Sequence, residues 1–185
     1  MDKEIQKDIV FQYIIKKIQG QFKYYNYQKL KTIAGNTQKA ERKYIDIIRT
    51  VLKEDGFDFN EAGPQASKDF RIMINKNITL NLECKKTDSF TILFNDTCPS
   101  RDIYYVFIFT GKEYVIKPPI KPQIIYINGY EMIKDSPWHY EFKKELNLFR
   151  DKWARGENAK KLPGLLHVYP RPTYSVNIRH LLDTT

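Results

Sequence analysis

The spacing of apolar residues predicts two helices in the first third of the chain. Residues 2–19 repeat isoleucines near helical spacing, with Lys and Gln between them. Residues 36–55 repeat apolar residues every three or four positions, and Gly56 follows where a helix would end. Between the two, residues 21–31 interleave aromatic and basic side chains. That pattern is typical of a connector whose tyrosines pack on the core, and the alternative is a segment that contacts DNA.

The middle of the chain changes to the two-residue period of β-strands. In residues 80–85 apolar and polar side chains alternate, so Glu83 and Lys85 lie side by side on one face of a strand. A turn signal at 75–77 joins this strand to an apolar run that opens with Asp69. The two runs are therefore expected to be neighbours, which would bring two carboxylates and one ammonium group together.

Residues 103–111 form the most strongly β-forming run of the chain. They are apolar at nearly every position, which indicates a central strand that is buried on both faces. Further strands are predicted at residues 90–94, 123–128, 165–169 and 174–178. The fold class is therefore α/β or α+β, with a central mixed sheet of about five strands flanked by helices.

A last helix is predicted to begin at Ser136, with Pro137 at its first helical position. Its bulky apolar residues follow at steps of 4, 4, 3 and 4, namely Trp138, Phe142, Leu146, Phe149 and Trp153. One bulky apolar side favours packing against the sheet. A contact between two copies of the chain is the alternative.

Charge is distributed unevenly around the predicted centre. The chain of 185 residues carries a net charge of +9, and residues 1–60 contribute +4, residues 61–111 zero and residues 112–185 +5. Basic flanks around a neutral centre suit a polyanion held at the periphery, with metal cations at the centre. No apolar run is long enough to span a membrane, and the first residues have no apolar signal core, so we expect a cytoplasmic protein.

The central side chains are those that phosphodiester hydrolysis requires. Asp69 and Glu83 are hard oxygen ligands suited to Mg²⁺, and the backbone carbonyl of Cys84 would lie between them. Lys85 could orient the attacking water, and Glu41 on the second helix could add a further acid. Taken singly, a Glu-x-Lys pattern on a strand is most often a solvated strand face with a weak ion pair, and Asp69 alone could be a turn residue. Their conjunction is what indicates a site.

These residues also carry a resemblance to a known family. A helix with Glu41, the segment Gly-Pro-Gln-Ala-Ser-Lys-Asp-Phe-Arg at 63–71 and Leu-Glu-Cys-Lys at 82–85 resemble, in this order, the PD-(D/E)xK nuclease superfamily. Within it, the chain is most similar to small type II restriction endonucleases. The proline that names the motif is Lys68 here.

The resemblance implies a restriction-endonuclease-like core and Mg²⁺ as the cofactor. It implies Asp69 and Glu83 as metal ligands, Lys85 as the catalytic lysine and Glu41 as an accessory acid. In a single nuclease domain, residues 1–35 would be the N-terminal helix and connector and 37–110 the catalytic core. Residues 111–185 would complete the sheet and serve DNA contacts, dimerisation or both.

The function that we expect is Mg²⁺-dependent hydrolysis of double-stranded DNA at a specific sequence. A homodimer would suit a symmetric site, and a cognate DNA methyltransferase would belong to the same system. The superfamily also includes Holliday-junction resolvases and repair nucleases, which keeps a structure-selective nuclease as an alternative. A basic DNA-binding protein without catalysis is the alternative from another class.

Polar and basic residues in the second half of the chain are candidates for reading base edges. Arg suits guanine and Asn suits adenine in the major groove. The candidates are Asn95, Ser100, Arg101, Arg171, Asn177 and Arg179. A phosphate contact or a plain surface position is the alternative for each of them.

Overall fold

The structure is a computed structural model of the full chain. It describes residues 2–31, 37–62, 68–95, 98–112, 119–134, 136–155, 157–161 and 173–183. The predicted strand at 165–169, the candidate Arg171 and the motif residues 63–67 lie outside these ranges.

The described ranges contain both predicted elements and three that the sequence did not predict, namely helices at 24–31 and 129–133 and a strand at 58–61. The helices are α1 (Lys3–Gln21), α2 (Tyr24–Lys31), α3 (Thr37–Glu54), α4 (Gly129–Ile133) and α5 (Pro137–Arg150). The strands are β1 (Asp58–Glu61), β2 (Phe70–Asn75), β3 (Ile78–Thr87), β4 (Thr91–Asn95), β5 (Ile103–Phe109), β6 (Gln123–Asn128) and β7 (Thr173–Asn177). Short π- and 3₁₀-helical turns follow α5 at Asp151–Arg155 and Glu157–Lys161, and another follows β7 at Arg179–Leu181.

Five strands form one mixed sheet in the order β1-β2-β3-β5-β6. The β3–β5 pair is parallel, and the other neighbours in this sheet are antiparallel. The expected α+β class with a central mixed sheet of about five strands is thereby confirmed. The chain segment that crosses from β3 to β5 contains β4, which pairs with β7 in a separate two-stranded sheet.

The hairpin between β2 and β3 confirms the turn predicted at 75–77. The side-chain Oδ1 of Asn75 accepts a hydrogen bond of 2.9 Å from the backbone N–H of Asn77, which closes the turn. The register then places Phe70 opposite Leu82. Asp69, the residue before Phe70, therefore stands at the height of Glu83 on the neighbouring strand.

The two faces of the sheet are covered by different elements. On one face, buried side chains of α1 and α3 pack on Leu80, Leu82 and Cys84 of β3. On the other face, Phe94 of β4 and the residues after β7 pack on the aromatic side chains of β5. Every residue of β5 is buried, as predicted for a central strand.

The N-terminal helices differ in detail from the predictions. Helix α1 ends at Gln21 and helix α3 at Glu54, where Gly56 adopts φ of +71° and turns the chain. The aromatic and basic segment at 21–31 is largely helical, and it buries Tyr27 and Leu30 in the core. Within the described ranges, no helix combines the length and apolarity needed to cross a membrane.

Helix α5 contradicts the predicted packing of its bulky side. Its start is as predicted, because Ser136 Oγ accepts a hydrogen bond of 3.3 Å from the N–H of His139. However, Trp138 is 75% exposed, and Phe142 and Phe149 are 43% and 44% exposed. The residues that α5 buries are His139 and Arg150.

The prediction that the bulky apolar side of α5 packs on the sheet was therefore wrong. The physical reason is that other elements already cover the apolar parts of both faces of the sheet. α1 and α3 cover one face of the sheet, and β4 with the residues after β7 covers the other. Helix α5 instead docks through polar contacts on the loop before β5. The Nε2 of His139 lies 2.8 Å from the carbonyl oxygen of Pro99, and Lys143 Nζ donates to Ser100 Oγ at 3.1 Å.

Candidate active site

Asp69 directly precedes Phe70, the first residue of β2, at a point where β3 continues without a β2 partner. Its backbone N–H donates to the carbonyl of Leu82 at 2.9 Å, which extends the pairing of the two strands by one bond. Since β2 begins at Phe70, the N–H of Cys84 has no strand partner on that side. The Oδ2 of Asp69 accepts a hydrogen bond from this N–H at 2.7 Å. The carboxylate thus completes the ladder and lies against the peptide that joins Glu83 to Cys84.

Glu83 and Lys85 emerge from the same face of β3, as their alternation predicts. Lys85 Nζ lies 2.7 Å from Glu83 Oε1, and the two side chains are only 23% and 12% exposed. The ammonium nitrogen also lies 5.2 Å from the centre of the Phe94 ring. This face therefore holds the lysine between a carboxylate and an aromatic ring, which limits the positions that its ammonium group can reach.

Burial changes the protonation of both carboxyl groups. It raises the pKa of Asp69 to about 6, although the N–H of Cys84 and the charge of Lys85 act in the opposite direction. It raises the pKa of Glu83 to about 7, again opposed by Lys85, while the negative charge of Asp69 adds to the increase. Near neutral pH each of the two carboxyl groups is therefore protonated in a fraction of the molecules. A bound cation would favour the ionised form of both.

Helix α3 packs on the sheet and brings Glu41 close to the site. The sequence did not determine whether this helix would pack there. Its side chain is exposed on that helix. Its negative charge raises the pKa of both Asp69 and Glu83, so it is close enough for its electrostatic field to act on both. Glu41 and Asp69 line an open cavity of about 320 Å³ with Ile45, Asp46, Arg49, Glu61 and Ala62.

Three aromatic residues of the site were missed by the sequence reasoning. The buried Tyr44 of α3 donates from its hydroxyl to the carbonyl oxygen of Cys84 at 3.4 Å. Phe94 lies beside Lys85, and the hydroxyl of Tyr105 accepts the N–H of Ser100 at 2.7 Å on the strand next to Glu83. Tyr44 could have been found, because it follows Glu41 by about one helical turn. Phe94 could not, since it belongs to the separate sheet.

The donor set fits a magnesium ion in number and type. Among the described residues no three His, Cys, Asp or Glu side chains converge as a metal site. Two carboxylates and one backbone carbonyl remain, and Mg²⁺ commonly keeps several waters beside so few protein ligands. The contact of 3.4 Å from Tyr44 is longer than a strong O–H···O bond, so the Cys84 carbonyl retains capacity to accept. A cation at this position would lower the raised pKa values of Asp69 and Glu83, because it would stabilise their ionised forms.

Two of the candidate base readers lie in the loop before β5. The hydroxyl of Ser100 donates to Asp102 at 2.9 Å and accepts from Lys143 at 3.1 Å. The guanidinium of Arg101 stacks 4.3 Å above the ring of Tyr130. Both side chains therefore already take part in the contacts that hold this loop against α4 and α5.

Two other candidates lie at the end of β7. The Oδ1 of Asn177 accepts the N–H of Arg179 at 2.9 Å, and the guanidinium of Arg179 lies 5.2 Å from the ring of Phe90. The backbone of Asn95 pairs with Thr173, but its side chain is outside what the structure describes, as is Arg171. In the described part of the chain, none of these contacts joins a candidate reader to Asp69, Glu83 or Lys85.

Comparison of the chain with protein-family models, with curated protein sequences and with solved structures finds no match. The geometry of the site is therefore the basis for a functional proposal.

Proposed function

We propose that the protein is a Mg²⁺-dependent endonuclease that hydrolyses phosphodiester bonds in double-stranded DNA at a specific sequence. One observation carries the proposal. Directly before β2 begins, the carboxylate of Asp69 lies against the peptide between Glu83 and Cys84, and Lys85 is paired with Glu83 on the same strand. Two acids and an ammonium group at this place form the charge arrangement that metal-assisted phosphodiester cleavage needs.

Asp69, Glu83 and the carbonyl of Cys84 would hold the magnesium ion. When bound, such an ion neutralises charge on the phosphoryl oxygens and lowers the pKa of its water. The protein's contribution is to hold two carboxylates side by side although burial and mutual repulsion oppose their ionisation. The bond from the Cys84 N–H to Asp69 fixes one of the two against that repulsion.

Lys85 is the residue to which we assign the orientation of the attacking water. Glu83 and the Phe94 ring hold its ammonium group on one face of β3. An ammonium group at this place donates hydrogen bonds to a water or to a phosphoryl oxygen, and its charge stabilises a hydroxide or a developing phosphorane. The assignment places the ammonium nitrogen of Lys85 2.7 Å from Glu83 Oε1, beside the position of the metal ligands.

Glu41 and Tyr44 support the site from α3. Glu41 lines the cavity beside Asp69 and adds a third negative charge. The hydroxyl of Tyr44 contacts the Cys84 carbonyl and so connects the helix with the strand that carries Glu83. We therefore assign to Glu41 an accessory role in binding the cation or its waters, and to Tyr44 a role in positioning the carbonyl.

Double-stranded DNA as the substrate is supported by the net charge of +9, which lies in the flanks of the core. Cleavage at a specific sequence rests on the resemblance to type II restriction endonucleases and on the residues beyond the core. For such an enzyme we also propose that the chain forms a homodimer and that a cognate DNA methyltransferase protects the same site.

Incubation of plasmid DNA with the protein and Mg²⁺ tests the proposal. Discrete fragments that Mg²⁺ chelation abolishes support a site-specific endonuclease, and sequencing of their ends gives the site. Preferential cutting of branched DNA would instead indicate a structure-selective nuclease. Binding without cutting by the wild type would overturn the enzymatic proposal. The variant Glu83→Gln serves as the inactive control, because it keeps the shape of the side chain and removes its charge.

A further inference from the structure

The central sheet carries a row of polar side chains beside the candidate active site. On this face, β4 and the residues after β7 pack over the apolar side chains of β5 and β6. The register of the outer strands places Asn81 of β3 opposite Arg71 of β2, and Arg71 opposite Asn60 of β1. We call these three residues the open polar row. Asn60 and Arg71 are exposed and Asn81 is half-buried, so the row is accessible from solvent.

The open polar row lies directly beside the two carboxylates of the site. Asn81 precedes Glu83 by two residues on the same face of β3, which corresponds to about 7 Å along the strand. Arg71 follows Asp69 by two residues on the neighbouring strand. A pair of acids is therefore followed, one step along the sheet, by a guanidinium and an amide.

Asn81 carries a polar atom that the fold does not use. Its Oδ1 is enclosed, and no hydrogen-bond partner for it is found in the described part of the chain. Native proteins pair nearly all buried polar atoms, because an unpaired one lowers the stability of the fold. The other amide atom, Nδ2, is not enclosed and can donate to a ligand. Stability of the fold therefore does not explain an amide at this position, whereas a ligand above it would.

Arg71 is also not engaged by the fold. Among the described residues, none forms an ion pair or a hydrogen bond with its side chain. Its neighbours in the row, Asn60 and Asn81, are uncharged and leave its positive charge without compensation. Asn60 differs, because its Nδ2 contacts Met73 Sδ at 4.0 Å. Arg71 and Asn81 are thus the two groups of the row that a ligand can engage.

The charges on this part of the face favour a phosphate as that ligand. A guanidinium donates two parallel hydrogen bonds to phosphate oxygens, and an amide N–H adds a third. The next row, farther from Glu83, contains the exposed acid Asp58 opposite Met73. A polyanion is therefore attracted to the open polar row and repelled beyond it. Successive phosphates of a DNA strand rise by about 3.4 Å along the helix axis, so 7 Å corresponds to about two nucleotides.

We propose that Arg71 and Asn81 hold a phosphate of the DNA strand within about two nucleotides of the phosphate that is cut. This role rests on the proposed function, because it takes DNA as the ligand. It adds two substrate-binding residues on strands β2 and β3, apart from the candidate base readers. Contacts to phosphates set the position of DNA and do not depend on base sequence. Their loss is therefore measurable on DNA of any sequence.

Fluorescence anisotropy of a labelled DNA duplex of arbitrary sequence, in EDTA and at several salt concentrations, tests the role of Arg71. Arg71→Gln is expected to weaken binding about tenfold. It is also expected to reduce the slope of log affinity against log salt by about 0.9, the value for one lost phosphate contact. Arg71→Lys keeps the charge and is expected to restore the slope.

Lys16→Gln is the matched control for the loss of one positive charge. Lys16 is exposed on α1, which packs on the opposite face of the sheet. This control is expected to change the affinity by less than about twofold and to leave the salt slope unchanged.

Asn81→Ala tests the second residue with two readouts. DNA affinity is expected to fall about threefold without a change of salt slope, because a neutral donor is lost. The free energy of unfolding in urea is expected not to fall, because the enclosed Oδ1 has no partner to lose. Lower stability with unchanged DNA affinity would make Asn81 a structural residue and overturn its assignment.

The outcomes separate this role from the nuclease proposal. If wild type binds and cleaves DNA but Arg71→Gln keeps the wild-type salt slope, the role of Arg71 is overturned and the nuclease proposal stands. Equal effects of Arg71→Gln and Lys16→Gln would also overturn it, since net charge would then explain both. If wild type binds without cleaving, the enzymatic proposal fails and the slopes still decide the role of Arg71. A wild type without affinity for DNA would overturn both. Circular dichroism confirms that each variant is folded.

Discussion

Replacing Glu83 by Gln is expected to make the protein more stable at neutral pH and inactive at the same time. Burial raises the pKa of Glu83 from an ordinary value of 4.5 to about 7. The folded state therefore holds a proton that the unfolded state releases between these two pH values. By linkage, the free energy of unfolding falls as pH rises through this window, and the stabilising contribution is present only below it. A glutamine does not titrate, so the variant does not lose this contribution.

The magnitude follows from the two pKa values. One pKa unit corresponds to ~1.4 kcal/mol, so a change from 4.5 to about 7 corresponds to about 3 kcal/mol when the carboxyl group is fully ionised. At pH 8 without divalent cations, Glu83→Gln is expected to unfold with a free energy higher than wild type by about 3 kcal/mol. Each kcal/mol shifts the melting temperature of a chain of this size by about 2–4 °C. At pH 4 the difference is expected to vanish, because both proteins are then neutral at this position.

The assay is urea and thermal unfolding of wild type and variant in EDTA, from pH 4 to pH 8. Glu61→Gln is a control of opposite sign, because the hydrogen bond from Arg49 lowers the pKa of Glu61. That variant is expected to be less stable than wild type at neutral pH. Addition of Mg²⁺ is expected to stabilise wild type more than Glu83→Gln. If wild type and Glu83→Gln show the same pH dependence of stability, the burial argument for this site is refuted.

Four further results are expected. Lys85→Ala abolishes cleavage and leaves DNA binding within a few-fold of wild type, and plasmid cleavage with a parallel filter-binding assay measures both. Glu41→Ala raises the Mg²⁺ concentration needed for half-maximal cleavage, and an unchanged Mg²⁺ titration would make Glu41 a structural residue. Cys84→Ala lowers the free energy of unfolding by about 1–2 kcal/mol and changes activity little, because this buried side chain faces the core opposite Glu83. The affinity for DNA falls steeply between low and moderate salt concentration, and a flat response would remove the role of the basic flanks.

The central part of the site was predictable because its signals are local. Alternation along β3 determines that Glu83 and Lys85 share a face, and an asparagine turn at 75–77 closes the hairpin that brings Asp69 beside them. What the sequence could not supply is the residue at which β2 begins. Because β2 begins only at Phe70, the Cys84 N–H has no strand partner and Asp69 accepts its hydrogen bond.

Non-local competition explains the part of the fold that was predicted wrongly. The periodicity of α5 showed correctly that one side carries bulky apolar residues, but periodicity does not show whether a surface remains to cover that side. The pairing of β4 with β7, whose residues are far apart in the sequence, brings Phe94 over the second face of the sheet and fills it. The same pairing places Phe94 beside Lys85, which no local pattern indicates.

The pairing of β4 with β7 also determines when the site can form while the chain is being synthesised. A ribosome makes residues in order, at about 5–20 residues per second, so the strand at 173–177 leaves it several seconds after the strand at 91–95. During that delay the nascent chain can assemble β1, β2, β3, β5 and β6, but β4 has no partner strand to hold the Phe94 ring against Lys85. A ribosome-bound chain stalled before residue 173 is therefore expected to contain the carboxylates without a fixed lysine. The activity that we propose would then begin only after 173–177 have emerged, and arrested chains of graded length would measure that onset.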